Sequence, residues 1–456
     1  MRSKPTAIYI LMFFLLTGYM HAQQKKWTLR ECVEYALKNN ISVRQAELDL
    51  KLNQIDKKDA LGNFLPNANF SAGHSWNIGL IRNFSGILQQ QTTQFTTGGL
   101  STNVDIFKGL QNQRTNQRAR LAIIAGKYNI TKMQEDVALN VANAYLQILF
   151  NRENLKVQNE QLEVDLQQLE RSKELLEGGV IPRGDLLDIE ATVAADRQRI
   201  IDAENQLLLS RLSLAQLLQI EDFQNFDIAD EEFSKEDSEV LVQTPETIYN
   251  KAKDEQTVIK LARANLEVAE QDVKIAKSAY QPTLQGFYSL DTRVTYDDYT
   301  SFGEDGQIIS QSPPPFWNQV WDNKGHSFGF QLSIPILNGF AVRNSVERAK
   351  VAVERSKLAL EQQELDLERN IYTAYTDAIG ALKAYDAAVA ASDARRQSLD
   401  YARERYDVGL INVFDFNQAQ TLSVNAQSDV LRAKYDFIFR VKILEFYFGI
   451  PILEQQ

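Results

Sequence analysis

Two stretches of this chain repeat at a constant separation, and that constrains the fold more than any other feature. "DIFKGLQNQRTNQRARLA" (105–122) aligns with "PILNGFAVRNSVERAKVA" (335–352), pairing Gly109 with Gly339, Arg118 with Arg348 and Ala122 with Ala352, an offset of 339 − 109 = 230. Tyr145 and Tyr375, Gly179 and Gly409, and Asp185 and Asp415 keep the same offset, 409 − 179 = 230. One inserted residue anywhere between would break it, so the segments from the first glycine of each repeat to the second have equal length. The ten prolines spare these segments, with none between Pro66 and Pro182 or between Pro335 and Pro451. Proline ends helices, so its absence leaves room for helices of about 100 Å at 1.5 Å per residue. An ordinary globular domain has no place for such a helix.

The duplication sets the domain plan. Repeat one is expected over 23–220 and repeat two over 244–456, joined by a linker at 221–243. Each repeat opens on a capped helix: Thr28 with Glu31 reads as a capping box, and Thr244 is followed by Pro245 at the first helical position. A proline then ends that helix, in "NFLPNANF" and in "AYQPTLQGF".

Beyond each proline the period becomes two. In "HSFGFQLSIPI" residues Phe328, Phe330, Leu332, Ile334 and Ile336 share a face opposite Ser327, Gly329, Gln331 and Ser333. "ANFSAGHSWN", "GLSTNVDI" and "TLQGFYSLDTRV" alternate in the same way. Strand pairs are predicted at about 67–77 with 97–107 and at about 283–294 with 326–337, with polar or aromatic connections at 78–96 and 295–325. Trp76, Trp317 and Trp321 near strand ends fit a membrane interface, and fit ordinary loop aromatics as well.

After the strands the period is helical. Leu186, Val193, Ile200, Leu207 and Leu214 recur every seven residues, as do Phe416, Ser423, Val430, Phe437 and Leu444. Sustained heptads specify coiled coils. Each repeat therefore supplies a long antiparallel hairpin, turning at 178–184 or at 408–414. Glycine there can take the left-handed conformation that ends a helix, and Pro182 suits the first turn of the next.

Composition narrows the setting. Residues 1–22, "MRSKPTAIYILMFFLLTGYMHA", have Arg2 and Lys4 before an apolar core and read as a secretory signal. The lone Cys32 excludes an intramolecular disulfide and reads as a small buried helix residue, since Leu29-Arg30-Glu31 before it does not suit lipidation. A net charge of −11 argues against nucleic acid. No later run reaches the roughly twenty apolar residues of a membrane helix, so any membrane insertion must be as a closed barrel. Four strands per chain are too few, because such barrels start at eight, and three copies would give twelve. No nucleophile elbow, phosphate loop or clustered metal spacing is present, and His74 and His326 lie in strands, so neither an enzyme, nor a cofactor, nor a metal is expected.

The duplicated order, with the turn "VGLINVFDFNQA" (408–419) and the opener "WTLRECVEYAL" (27–37), resembles the TolC-like outer-membrane efflux family over essentially the whole mature chain. The resemblance implies a mixed fold, a transmembrane β-barrel closed by trimerisation and continued by an α-helical coiled-coil barrel. It implies a homotrimeric duct in the outer-membrane lipid, served by an inner-membrane transporter through a periplasmic adaptor. It makes the hairpin tips the adaptor-facing and gating end, with Gly179, Val180, Ile181, Gly409, Leu410 and Ile411 as docking residues. Ile181 or Leu410 stapling its own turn is the alternative. In the family, acidic residues at the position of Asp415 and three beyond line the constriction. Gln418 stands at that second place, whereas repeat one has both Asp185 and Asp188. Favourable interaction with the helix dipole would account for Asp185 and Asp415 equally well. Where the family's gate carries an arginine two residues after the turn glycine this chain has Ile411, and Arg183 is the nearest substitute. A periplasmic coiled-coil scaffold without a channel would also explain the heptads, but would leave the four strands without a purpose.

Overall fold

A computed structural model describes residues 26–82, 87–231, 239–302 and 307–450. The signal segment at 1–22 and part of the 221–243 linker lie outside the described residues. In chain order the elements are β1 (Lys26–Trp27), α1 (Leu29–Asn39), α2 (Ile41–Gly62), β2 (Asn67–Arg82), β3 (Leu88–Lys108), α3 (Gln111–Glu177) and α4 (Arg183–Leu218). Then follow β4 (Asp227–Ile228), α5 (Pro245–Glu255), α6 (Thr257–Ser278), β5 (Thr283–Thr295), β6 (Tyr299–Phe302) and β7 (Ile308–Gln311). The chain continues as α7 (Phe316–Asp322), β8 (Gly325–Ser333), α8 (Ala341–Asp407) and α9 (Val413–Phe448). They form two compact units, one of residues up to Leu48, Lys127–Leu261 and from Glu361, the other Asp49–Gly126 with Ala262–Leu360.

The duplication is visible in the backbone. α3 and α8 are 67 residues each, and α4 and α9 are 36 each. The left-handed residues recur at 230 too: Gly109 and Leu110 with Gly339 and Phe340, Gly179 with Gly409, and Gln219 with Gly449. The opening helix of each repeat differs from the single helix expected. It breaks at Asn40 in repeat one and at Gln256 in repeat two, both extended, at an offset of 256 − 40 = 216. Thr28 and Thr244 share that offset, 244 − 28 = 216. Thr28 forms the capping box, its Oγ1 accepting from Glu31 N–H at 3.2 Å while its own N–H donates to Glu31 at 3.0 Å. Each break is stitched to its surroundings by the side chain at the kink: Asn40 Nδ2 donates to Leu217 O and Gln256 Nε2 to Phe446 O.

The first unit has its core where α1 meets the middle of α3 and the end of α4. Cys32, Val33 and Ala36 pack there with Val141, Tyr145, Ile148, Leu214, Leu218 and Ile228, all buried. Cys32 is fully buried and in no disulfide among the described residues. Tyr145 Oη donates to Ala229 O at 2.9 Å, which satisfies the one polar atom of a buried ring. The β1–β4 ladder is parallel, and Arg152 clamps it through ion pairs to Asp227, at 2.6 Å, and to Asp230.

The second unit contains a four-stranded antiparallel sheet in the order β2-β3-β5-β8. The register puts Phe70, Leu100, Leu290 and His326 in one cross-strand row, and Ser71, Gly99, Asp291 and Gly325 in the next. One face is thus apolar and the other polar, and the apolar one is open: Phe70, Trp76, Ile78, Phe328 and Phe330 are all exposed. β2 and β3 reach further than the sequence suggests, because most of the supposed connection at 78–96 is strand. Its Gln- and Thr-rich half hides the alternation, although Ile78 pairs with Thr92 and Leu80 with Gln90. β8 falls short of residue 337 and ends at Ser333, opposite Thr283, the first residue of β5, so nothing remains for Ile334 to pair with. Pro335 could not have extended the ladder in any case. The connection at 295–325 contains the β6–β7 hairpin and α7, which is pinned by Gln319: its Nε2 donates to Thr295 O at 3.0 Å and its Oε1 accepts from Thr295 N–H at 2.9 Å. His74 and His326 bond within the sheet, to Thr96 at 2.8 Å and Tyr288 at 2.9 Å.

Candidate functional site

The hairpin tips, both in the first unit, are built by one local device used twice. α3 ends in a pair of backbone bonds, Val180 N–H to Leu175 O at 2.8 Å and Gly179 N–H to Leu176 O at 2.9 Å, with Gly179 at φ +71. α8 ends identically, Leu410 N–H to Arg405 O at 2.8 Å and Gly409 N–H to Tyr406 O at 3.0 Å, with Gly409 also at φ +71. This double bond around a left-handed residue satisfies carbonyls that a helix end would otherwise leave open. Val180 and Leu410 are each 69% exposed. Ile181 and Ile411 are half-buried, so the apolar rim at each tip is one residue wide where the sequence suggested two.

The restarts differ. Pro182 is the N-cap of α4 instead of its first helical residue, extended at φ −73, and supplies no side-chain cap. At the matching place Asn412 accepts from Asp415 N–H at 2.8 Å. Tyr406 and Phe416 then stack across the second tip, ring centroids 4.9 Å apart. Asp185 and Asp415 both lie in a first helical turn, Asp185 half-buried and Asp415 exposed. Arg183, Asp188 and Gln418 are exposed.

Among the contacts that tie the second hairpin to the first within this unit are three polar ones. Arg171 on α3 pairs with Asp407 on α8 at 2.8 Å. Asn417 Nδ2 on α9 donates to Thr192 Oγ1 on α4 at 3.3 Å, and Gln420 Nε2 on α9 donates to Asp165 Oδ1 on α3 at 2.6 Å. None of these was anticipated from the sequence. The seam of α4 runs Ile189, Val193, Asp196, Ile200, Ala203, Ser210 and Leu214, all buried, so Asp196 sits at a position where heptads demand an apolar residue. A charged residue at such a position was legible as a signal. Burial pushes the Asp165 carboxyl up to about 7, helped by its contact with Asp196 and opposed by the bonds from Gln161 and Gln420.

The outer membrane efflux protein family matches residues 32–218 and 248–444, once in each repeat. The chain belongs to the outer membrane efflux protein family. Outer membrane protein TolC of Vibrio cholerae is 23% identical over 315 residues, 68% of this chain and 66% of that protein, just under two thirds of its length. Outer membrane protein TolC of Escherichia coli is 22% identical over 436 residues, 94% of this chain and 83% of that protein. The crystal structure of the CmeC outer membrane channel of Campylobacter jejuni superposes with a TM-score of 0.78 at 18% identity, covering 94% of this chain and 87% of that one. The fold is therefore that of TolC-like channels, and membership places this efflux-family chain in the outer membrane. The family is one of efflux channels and not of enzymes.

Proposed function

We propose that three copies of this chain form a passive duct from periplasm to exterior, receiving cargo from an inner-membrane transporter through a periplasmic adaptor. The observation that carries this reading is the sheet. It has an exposed apolar face, a polar face, and two outer strands, β2 and β8, each with one edge facing no strand among the described residues. Exposed edges are templates for pairing with another chain, and joining β2 of one copy to β8 of the next three times over makes a closed barrel of twelve strands. Its apolar face then meets lipid and its polar face a lumen. Four long helices per chain, a matched pair of 67 residues and a matched pair of 36, continue the wall on the periplasmic side.

At the tips, Val180 and Leu410 offer the adaptor apolar contacts, with Ile181 and Ile411 behind them and Gly179 and Gly409 setting the turn. Asp185, Asp188 and Asp415 give the aperture its negative charge, Gln418 stands where a further acid would add to it, and Arg183 is the basic group at the rim. Three copies concentrate this charge and favour cations. The test is single-channel conductance of purified protein in a planar bilayer, with Asp185→Ala and Asp415→Ala beside the unmodified chain. A small cation-selective conductance that becomes larger or less selective in either variant, from a band that migrates as a trimer without heating, supports the duct. A monomeric protein extracted without detergent overturns it in favour of a coiled-coil scaffold.

A further inference from the structure

The seam between the two hairpins contains a polar cluster that the duct reading does not use. Asp165 on α3, Asp196 on α4 and Gln420 on α9 converge there. Asp196 is 2% exposed and Gln420 is 4% exposed. The bonds recorded on the two carboxyls come from every helix of the cluster. From α3, Gln161 Nε2 donates to Asp165 Oδ2 at 2.7 Å. From α9, Gln420 Nε2 donates to Asp165 Oδ1 at 2.6 Å. From α4, Arg199 Nη1 donates to Asp196 Oδ1 at 2.8 Å, and among the described residues this guanidinium is the one cation paired with either carboxyl.

Two carboxylates side by side with one half-exposed guanidinium leave a buried negative charge uncompensated, which a protein interior strongly disfavours. Hydrogen bonding gives the same answer independently. Asp196 Oδ2 is buried and has no donor when both acids are ionised. A carboxylate only accepts, so the atom that can fill this position is a proton carried by the neighbouring acid. Arg199 already balances Asp196, which assigns that proton to Asp165.

We infer that Asp165 and Asp196 share one proton, and that this proton latches the second hairpin to the first: with it Asp196 Oδ2 gains a donor and Gln420 holds α9 against α3, and without it the two carboxylates repel and the seam opens. The latch lies in the first unit between the tips and the helix midpoints, and it stands on the contacts there, not on the chain's being a channel.

Folding takes up this proton. Asp165 titrates near 3.8 when exposed and is held up to about 7 in the folded seam. The stabilisation is therefore complete below about pH 4 and is lost as pH rises through 7. Asp165→Asn, which keeps the shape and removes the titration, should flatten the fall in melting temperature between pH 4 and 8.

The deciding experiment reads the seam itself in the full-length protein. Ser423, on α9 three residues past Gln420, is 2% exposed, and Ser423→Cys introduces a thiol of nearly the same size. Cys32, fully buried in the core cluster, serves as the silent background. Maleimide labelling of Ser423→Cys is measured from pH 5.5 to 8.5 and divided by that of the exposed Gln418→Cys, which cancels the thiol's own titration. The ratio should rise several-fold through pH 7, and should stay flat at its low-pH value when Asp165→Asn is added. Asp196→Asn provides a second flat case should Asp165→Asn fail to fold. A ratio that rises equally with and without these substitutions, or that never rises, overturns the latch. A monomeric scaffold would leave this readout intact, so failure of the latch and failure of the duct are separable.

Discussion

The two hairpins share a backbone and differ in what secures them. Helix lengths, the glycine at φ +71 and the paired bonds that end α3 and α8 are the same at an offset of 230. The second hairpin closes its own tip, with Asn412 capping α9 and Tyr406 stacked on Phe416. The first has Pro182 at its restart and no side-chain cap. In exchange it carries the buried acids: the counterparts of Asp165 and Asp196 at 230 are Arg395 and Ala426. A duplicated backbone thus tolerates divergent chemistry wherever the geometry rests on main-chain bonds. A tip secured locally is independent of its neighbours, whereas one secured through a seam is exposed to whatever acts on that seam.

The largest effect expected from testing this comparison is at the entry to the long helices, in the second unit. Gly109 and Gly339 have nearly the same backbone, φ +57 and +56, but a Cβ on Gly109 would collide with the Ser278 carbonyl and with Gln281 Cβ, 2.5 Å away. Nothing lies within 4 Å of a Cβ on Gly339. Both alanine substitutions carry the left-handed penalty of about 1–2 kcal/mol, and Gly109→Ala adds overpacking of about 1–3 kcal/mol. Melting followed by circular dichroism should show the larger drop for Gly109→Ala. Gly179→Ala and Gly409→Ala, with open space at both, should match each other. Equal drops at 109 and 339 would mean that the first repeat's entry is looser than its contacts indicate.

How much of this was readable in advance follows the same division. The equal helices and the glycine turns were legible because main-chain requirements leave fixed residues at fixed spacing. The capping box at Thr28 and Glu31 was legible for the same reason. The breaks at Asn40 and Gln256 were not, since both lie inside unbroken helical patterns and neither is glycine or proline. The extra strand at 88–96 was hidden because Gln and Thr fill both faces of it. The heptads located the seam, and every-seventh counting from Leu186 missed Asp196 because it occupies the alternate seam position, three residues after Val193. Asp165 and Gln420 had no local signature at all, since what defines them is a contact between helices 420 − 165 = 255 residues apart.

A smaller effect is expected at the second tip. Asn412→Ala removes the acceptor for Asp415 N–H and should cost about 1 kcal/mol, typical of a lost N-cap. The Tyr406–Phe416 stack should limit fraying to the first turn of α9. Hydrogen exchange at Val413–Asp415 is the direct measurement, with faster exchange there and none of it transmitted to Phe437 or Leu444. Fast exchange spreading along α9 would show that the second tip depends on the seam as the first does.

The smallest effect lies at the first tip, where two terms oppose each other. Pro182 has φ −73, close to the angle its ring imposes, so replacing it by another residue loosens the unfolded chain and costs about 0.4–1 kcal/mol. Asparagine there would recover about 1 kcal/mol by accepting from Asp185 N–H, as Asn412 does from Asp415. The Asp185 N–H already reaches the Pro182 carbonyl at 3.1 Å, so part of the gain is forestalled. Pro182→Asn should therefore melt close to the unmodified protein, and Pro182→Ala below it by about 0.4–1 kcal/mol, the partial cap being the difference between the two variants. If the alanine and asparagine variants melt together, the first tip does not accept a cap even when one is offered. Its restart is then held by the half-buried packing of Ile181 and Asp185 and not by α4's own end.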